Sequence, residues 1–194
     1  LFRCRNCCVG ETDKKQKQYA TEKNKYKFFH DTVYVRQEEY MSTLEHLYPE
    51  RVFYYFKQIA AIPHGSGNTK AISDYLVKFA KEHALTWYQD EANNVVLVKE
   101  ASKGYEKAPA IIIQGHMDMV CEKEKDCNLD MDKEGLRLYV DGDFLKAEGT
   151  TLGGDDGIAV AYALAILESD EISHPKLEVV ITVDEEIGML GAAV

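Results

Sequence analysis

A chain of 194 residues, 45% hydrophobic and 29% charged, is the profile of one soluble globular domain. It is long enough to bury a core without disulfides or a structural metal. A formal net charge of −10, with no basic stripe interleaved with aromatics, excludes non-specific nucleic-acid binding. No apolar run approaches the roughly 18 residues of a membrane span. The opening Leu1-Phe2-Arg3-Cys4-Arg5 lacks the apolar core of a signal peptide, so the sequence reads as cytoplasmic and free of membrane partners.

The first forty residues differ from the rest. They hold nine Lys/Arg and six Asp/Glu, leaving 14 basic and 27 acidic residues for the remainder. Glu11 to Lys27 is a polar tract without helical or strand period, and such composition buries little apolar surface. Residues 1–40 are therefore expected to be a non-native or disordered extension, with Met41 as the natural start. Cys4-x-x-Cys7 matches half a zinc knuckle, yet no second Cys or His pair follows at the spacing such a site needs. An odd total of five cysteines points to free thiols in a reducing compartment.

From Met41 the pattern is orderly. Pro49 fits the first turn of a helix running to Ala60, with Val52, Phe53, Phe56, Ile59 and Ala60 on one face. The stretch Ala61 to Asn68, AIPHGSGN, breaks that helix with a loop. A second amphipathic helix spans Thr69 to His83, turning Ile72, Tyr75, Leu76, Phe79 and Ala80 inward. Strands follow at Thr86–Gln89 and Val95–Lys99, joined by the turn-prone Glu91-Ala92-Asn93-Asn94. Ala110–Ile113 is a short continuous apolar run, the pattern of a strand buried on both faces. Arg137–Val140 and Phe144–Ala147 flank Asp141-Gly142-Asp143, a hairpin signal. Gly157 to Leu167 is apolar nearly all round, as in a deeply packed helix, and Leu177–Val183 is a further β-branched buried strand. Alternating helices and strands predict an α/β fold.

Three acidic or histidine clusters fall at the ends of these core elements. Gly115-His116-Met117-Asp118 follows the Ala110–Ile113 strand. In extended backbone, side chains two apart share a face, so Asp118 can accept the second ring N–H of a metal-bound His116. Leu152-Gly153-Gly154-Asp155-Asp156-Gly157 leads into the buried helix. An Asp there is ordinarily an N-cap, but capping does not need glycines on both sides. Asp184-Glu185-Glu186-Ile187-Gly188 closes the Leu177–Val183 strand, and three successive carboxylates repel unless a cation neutralises them. The carboxyl ends of strands are where α/β sheets build sites. Adjacent glutamates pointing differently offer one metal ligand and one general base; a solvated acidic loop is the alternative.

Taken together, IPHGSGNTKAISDYLVKFAKEH, IIIQGHMDMVCEK, DGDFLKAEGTTLGGDDGIAVA and VDEEIGMLGA resemble the zinc aminoacylase and dipeptidase family of co-catalytic metallopeptidases. The resemblance runs from about Met41 to the end and does not cover residues 1–40. It implies an α/β/α sandwich catalytic domain with a mixed sheet, of which residues 41–194 are the amino-terminal part, the lid or dimerisation domain being absent. It further implies His116, Asp155 and Glu186 as metal ligands, Asp155 bridging two zinc ions, or other divalent metals in their place. Asp118 would hold His116, and Glu185 would be the general base. Asp156 departs from the Asn that one dipeptidase branch often carries at that position.

The implied reaction is hydrolysis of small peptides, dipeptides including Xaa-His above all, by a protein that is homodimeric at full length. The remaining ligands are expected beyond Val194, so the chain by itself is expected to hydrolyse nothing efficiently. A deacylase or tripeptidase of the same family is the enzymatic alternative. A non-catalytic metal-binding or interaction module is the alternative of another class.

Overall fold

The computed structural model describes Leu44 and residues 46–193. The extension 1–40, the Met41 start and the amino-terminal cysteines lie outside the described residues. Helix α1 (Glu50–Ala60) begins after Pro49, which occupies the N-cap position rather than the first turn. It buries Val52, Tyr55, Phe56, Ile59 and Ala60. Helix α2 (Lys70–Glu82) buries Ile72, Leu76, Val77, Phe79 and Ala80. Strands β1 (Thr86–Gln89) and β2 (Val95–Lys99) pair antiparallel across a tight turn, where the Asp90 carboxylate accepts the Asn94 backbone N–H at 2.8 Å. Strand β3 (Ile111–His116) runs parallel to β6 (Leu177–Thr182), and the sheet order is β1-β2-β6-β3. Strands β4 (Leu138–Asp141) and β5 (Phe144–Ala147) form the separate hairpin the Asp-Gly-Asp turn predicts. Helix α3 (Gly154–Glu168) packs against both α1 and β3. A mixed sheet carrying helices is the expected α/β architecture.

The register explains where the core sits. Val95 and Leu97 of β2 face Ile181 and Val179 of β6, and all four are buried with Leu177 on one side of the sheet. The helices supply the rest of one continuous core with Ile59, Ile72, Leu76, Val160 and Leu164. On the opposite side, Val96, Val98 and Val180 are only half-buried.

One expectation fails here. The Ala110–Ile113 run has the pattern of a strand buried on both faces, but β3 is the edge of the described sheet, with Ile111 49% and Ile112 66% exposed. An apolar run reports the composition of a strand and says nothing of how many neighbours it has, which tertiary pairing decides. The strand also continues to His116, so Gly115 and His116 belong to the sheet rather than to the loop after it.

The ends of α1 and α3 are joined by Arg51 and Glu168, whose Nε–H and Nη2–H donate to the two carboxylate oxygens at 2.6 Å each. Burial pushes the Glu168 carboxyl up, but the Arg51 hydrogen bonds and charge outweigh it and hold the group below the ordinary glutamate range. A depressed carboxylate stabilises the fold above its unfolded pKa and loses that contribution as pH falls through its folded pKa. Arg51 is half exposed, so screening limits the effect. Arg51→Ala is expected to cost about 1 kcal/mol near neutral pH. In urea titrations, the gap between variant and parent should close once acid protonates Glu168. Among the described residues, no helix is long and apolar enough to cross a membrane.

Candidate metal centre

The site is assembled at the carboxyl ends of the two parallel strands. Beyond β3 the chain stays in contact with β6, Met117 N–H donating to the Thr182 carbonyl at 2.9 Å. His116 and Asp118 are both buried, Asp118 to 1% exposure. The His116 ring turns Nδ1 toward Asp118, 3.0 Å from its backbone carbonyl and 3.4 Å from carboxylate Oδ1. The main-chain oxygen is thus the nearer partner, and sequence pattern alone pointed only to the carboxylate. An N–H on Nδ1 serves both, which directs the Nε2 lone pair outward.

Nε2 faces the second cluster, 3.2 Å from Asp155 Oδ1. The capping alternative for this cluster does not hold. The N-cap is Gly153, in the left-handed region at φ 65°, and no side chain caps the helix. Asp155 and Asp156 have non-helical backbone angles, and regular helix begins only at Gly157. The two aspartates point apart as a result. Asp155 reaches the imidazole with its side chain 88% exposed, while Asp156 accepts the His116 backbone N–H at 3.3 Å. That second contact requires a glycine at 115, because a Cβ there would lie 2.5 Å from Asp156 Oδ2. Burial, foremost, raises the Asp156 carboxyl above the ordinary aspartate range, and the charges of Asp155 and Glu185 add to it.

The third cluster folds over the first. Asp184 takes a left-handed conformation, φ 55°, and accepts the Gly67 N–H at 2.7 Å. The backbone N–H groups of Glu185 and Glu186 donate to Asp118 Oδ1 at 3.1 Å and Oδ2 at 3.4 Å. Both glutamate side chains thereby come to the imidazole: one ligating atom each of His116, Glu185 and Glu186 lies within 4.8 Å of the others. Glu185 Oε2 is 4.0 Å from Nε2. Desolvation, then the Asp155 and Glu185 charges, raise the Glu186 carboxyl. For His116, burial opposes protonation, but Asp155 and Asp118 more than offset it and the imidazole is raised above its ordinary value. An imidazole beside several carboxylates that raise one another's cost of ionisation is a donor set that a divalent cation fits.

All five residues singled out from the sequence, His116, Asp118, Asp155, Glu185 and Glu186, are therefore within one small region. Sequence reasoning missed the contacts that the loop between α1 and α2 makes with the site and the anchoring role of Asp184. The Gly-Ser-Gly of that loop signalled only a helix break.

No family model matches the chain. Over 152 residues, 78% of its length, it is 40% identical to the cytosol non-specific dipeptidase of Escherichia coli (strain K12), of which it covers 31%. Its fold superposes with a TM-score of 0.77 on the crystal structure of aminoacylhistidine dipeptidase from Vibrio alginolyticus, at 38% identity over 81% of this chain and 32% of that one. Over most of its own length the chain is thus similar to these dipeptidases. A tripeptidase from Staphylococcus aureus is similar at 25% identity, with a TM-score of 0.60 over 74% of this chain and 39% of that one. The chain spans about a third of the length of the two dipeptidases, and the mixed sheet with its helices corresponds to part of the catalytic domain of such peptidases.

Proposed function

We propose that the protein carrying this chain is a metal-dependent dipeptidase in which His116, Asp155 and Glu186 hold divalent metal and Glu185 is the general base. The observation that carries the reading is the convergence of a His116 ring nitrogen with the Glu185 and Glu186 carboxylates, within 4.8 Å, at the ends of the parallel strands. Nitrogen and carboxylate donors suit zinc, and Asp155, 3.2 Å from Nε2, would be the carboxylate shared by two ions that the family resemblance implies. When bound, such metal polarises the scissile carbonyl and makes a nearby water more acidic.

The chain's own residues then have separate tasks. Asp118 fixes the ring orientation of His116 from behind, as a carboxylate–histidine pair does at metal sites. Glu185 takes a proton from the attacking water and delivers it to the departing amine, the work of a general base that becomes a general acid. The Asp118 hydrogen bond to its backbone N–H sets where that carboxylate starts.

Substrate class rests on the dipeptidase relatives: small peptides, dipeptides including Xaa-His. The likeness to a cytosol dipeptidase of Escherichia coli supports a cytosolic setting. The protein carrying this chain should cleave dipeptides in preference to tripeptides and N-acyl amino acids. Chelation should abolish cleavage and added Zn²⁺ restore it. A preference for tripeptides or acylated amino acids overturns the dipeptidase reading, and activity that survives chelation overturns the metal.

A further inference from the structure

We propose that Ser66 is a positioning residue for this metal centre, acting through Asp118; the proposal rests on the metal reading above. The carboxylate of Asp118 is wholly enclosed, and its two oxygens are not equally served. Oδ1 lies 3.4 Å from His116 Nδ1 and accepts the Glu185 N–H at 3.1 Å. Oδ2 has the Glu186 N–H at 3.4 Å and the Ser66 hydroxyl at 2.7 Å. Ser66 supplies the shortest of these contacts. Without it, a buried carboxylate oxygen keeps one long hydrogen bond, a costly arrangement that rotation of the carboxylate relieves. That rotation moves Oδ1 away from His116 and from the backbone that carries Glu185.

The loop presenting Ser66 is itself fixed to both ligand-bearing segments. Met119 N–H donates to the His64 carbonyl at 3.1 Å, and Ser66 N–H donates to the Met119 carbonyl at 3.3 Å. One residue on, Gly67 N–H holds the Asp184 carboxylate at 2.7 Å. Within the loop, Asn68 N–H closes a turn on the Gly65 carbonyl at 2.8 Å. A Cβ at Gly65 would come 2.6 Å from Cys121 Sγ, so the loop lies flat against the segment after Asp118. The loop thus clasps the segments of the first and third clusters together, and through Ser66 one of its own side chains meets the Asp118 carboxylate.

The test compares Ser66→Ala, Ser66→Val and Ser66→Thr in the protein carrying this chain, reading Zn²⁺ affinity by chelator competition and the melting temperature without metal. Changes behind a metal ligand typically cost about 10–100-fold in metal affinity. Ser66→Ala and Ser66→Val are expected to show that loss, with the metal-free melting temperature nearly unchanged. Ser66→Thr, which keeps the hydroxyl, is expected to stay within about threefold of the parent. Thr and Val have nearly equal size, so their difference isolates the hydroxyl even where a larger side chain costs stability. Parent-like zinc affinity in Ser66→Ala and Ser66→Val overturns the proposal, as does equal weakening of all three variants. A parent that binds no Zn²⁺ overturns the metal reading itself, an outcome distinct from either of these.

Discussion

Glu185→Gln is expected to leave metal content unchanged and to lower dipeptide turnover by about 10²–10⁴-fold, the usual cost of removing a general base. The amide keeps the size of the side chain and the backbone N–H that Asp118 holds at 3.1 Å, so only the proton acceptor is lost. Glu186→Gln is expected to act on the other quantity. A neutral amide is a poor substitute for a carboxylate ligand, so bound zinc should fall and activity should return with excess Zn²⁺. The experiment has force because the two side chains are geometrically similar, both within 4.8 Å of the imidazole nitrogen. Elemental analysis beside steady-state kinetics separates them. Zinc lost from Glu185→Gln and retained by Glu186→Gln means the roles are exchanged. No effect of either variant on metal or rate means the run from Asp184 to Glu186 is a solvated acidic loop.

Leu164→Ala is expected to destabilise the fold by about 3 kcal/mol, within the range of large-to-small core substitutions. Leu164 is 0% exposed in α3, the helix that packs against both α1 and the edge strand β3. A close-packed interior relaxes only partly around a deleted side chain, so the vacated space does not close fully. For a domain whose whole stability is about 5–15 kcal/mol, this is a large share. The midpoint of guanidinium unfolding should fall with an unchanged slope. A loss below about 1 kcal/mol, too small for a well-packed leucine, would mean that α3 is loosely held.

The helices were legible because their apolar residues recur at helical spacing and the breaks after them are strong: Ile62-Pro63-His64-Gly65 ends α1 as the sequence indicates. The hairpin followed from Asp141-Gly142-Asp143 in the same way. These are local signals. What pairs with what is not local, and β3 illustrates the cost: the same Ile111-Ile112-Ile113 that reads as an enclosed strand lies at an open edge. That the clusters could meet was legible, since each falls at the end of a core strand or the start of a core helix. How they interlock was not. No spacing rule links Ser66 to Asp118 across 52 positions or Gly67 to Asp184 across 117. The split of Asp155 and Asp156 toward different partners likewise depends on the left-handed Gly153 and on the bare Gly115 opposite.

The central claim is that His116, Asp155 and Glu186 share a divalent cation. Diffraction from crystals of the zinc-loaded protein, recorded on both sides of the zinc absorption edge, tests it most directly. The expected result is an anomalous peak at ligand distance from His116 Nε2, with carboxylate oxygens of Asp155 and Glu186 around it. A crystal that contains zinc but shows no peak beside His116, or shows it only at carboxylates elsewhere on the surface, contradicts the claim.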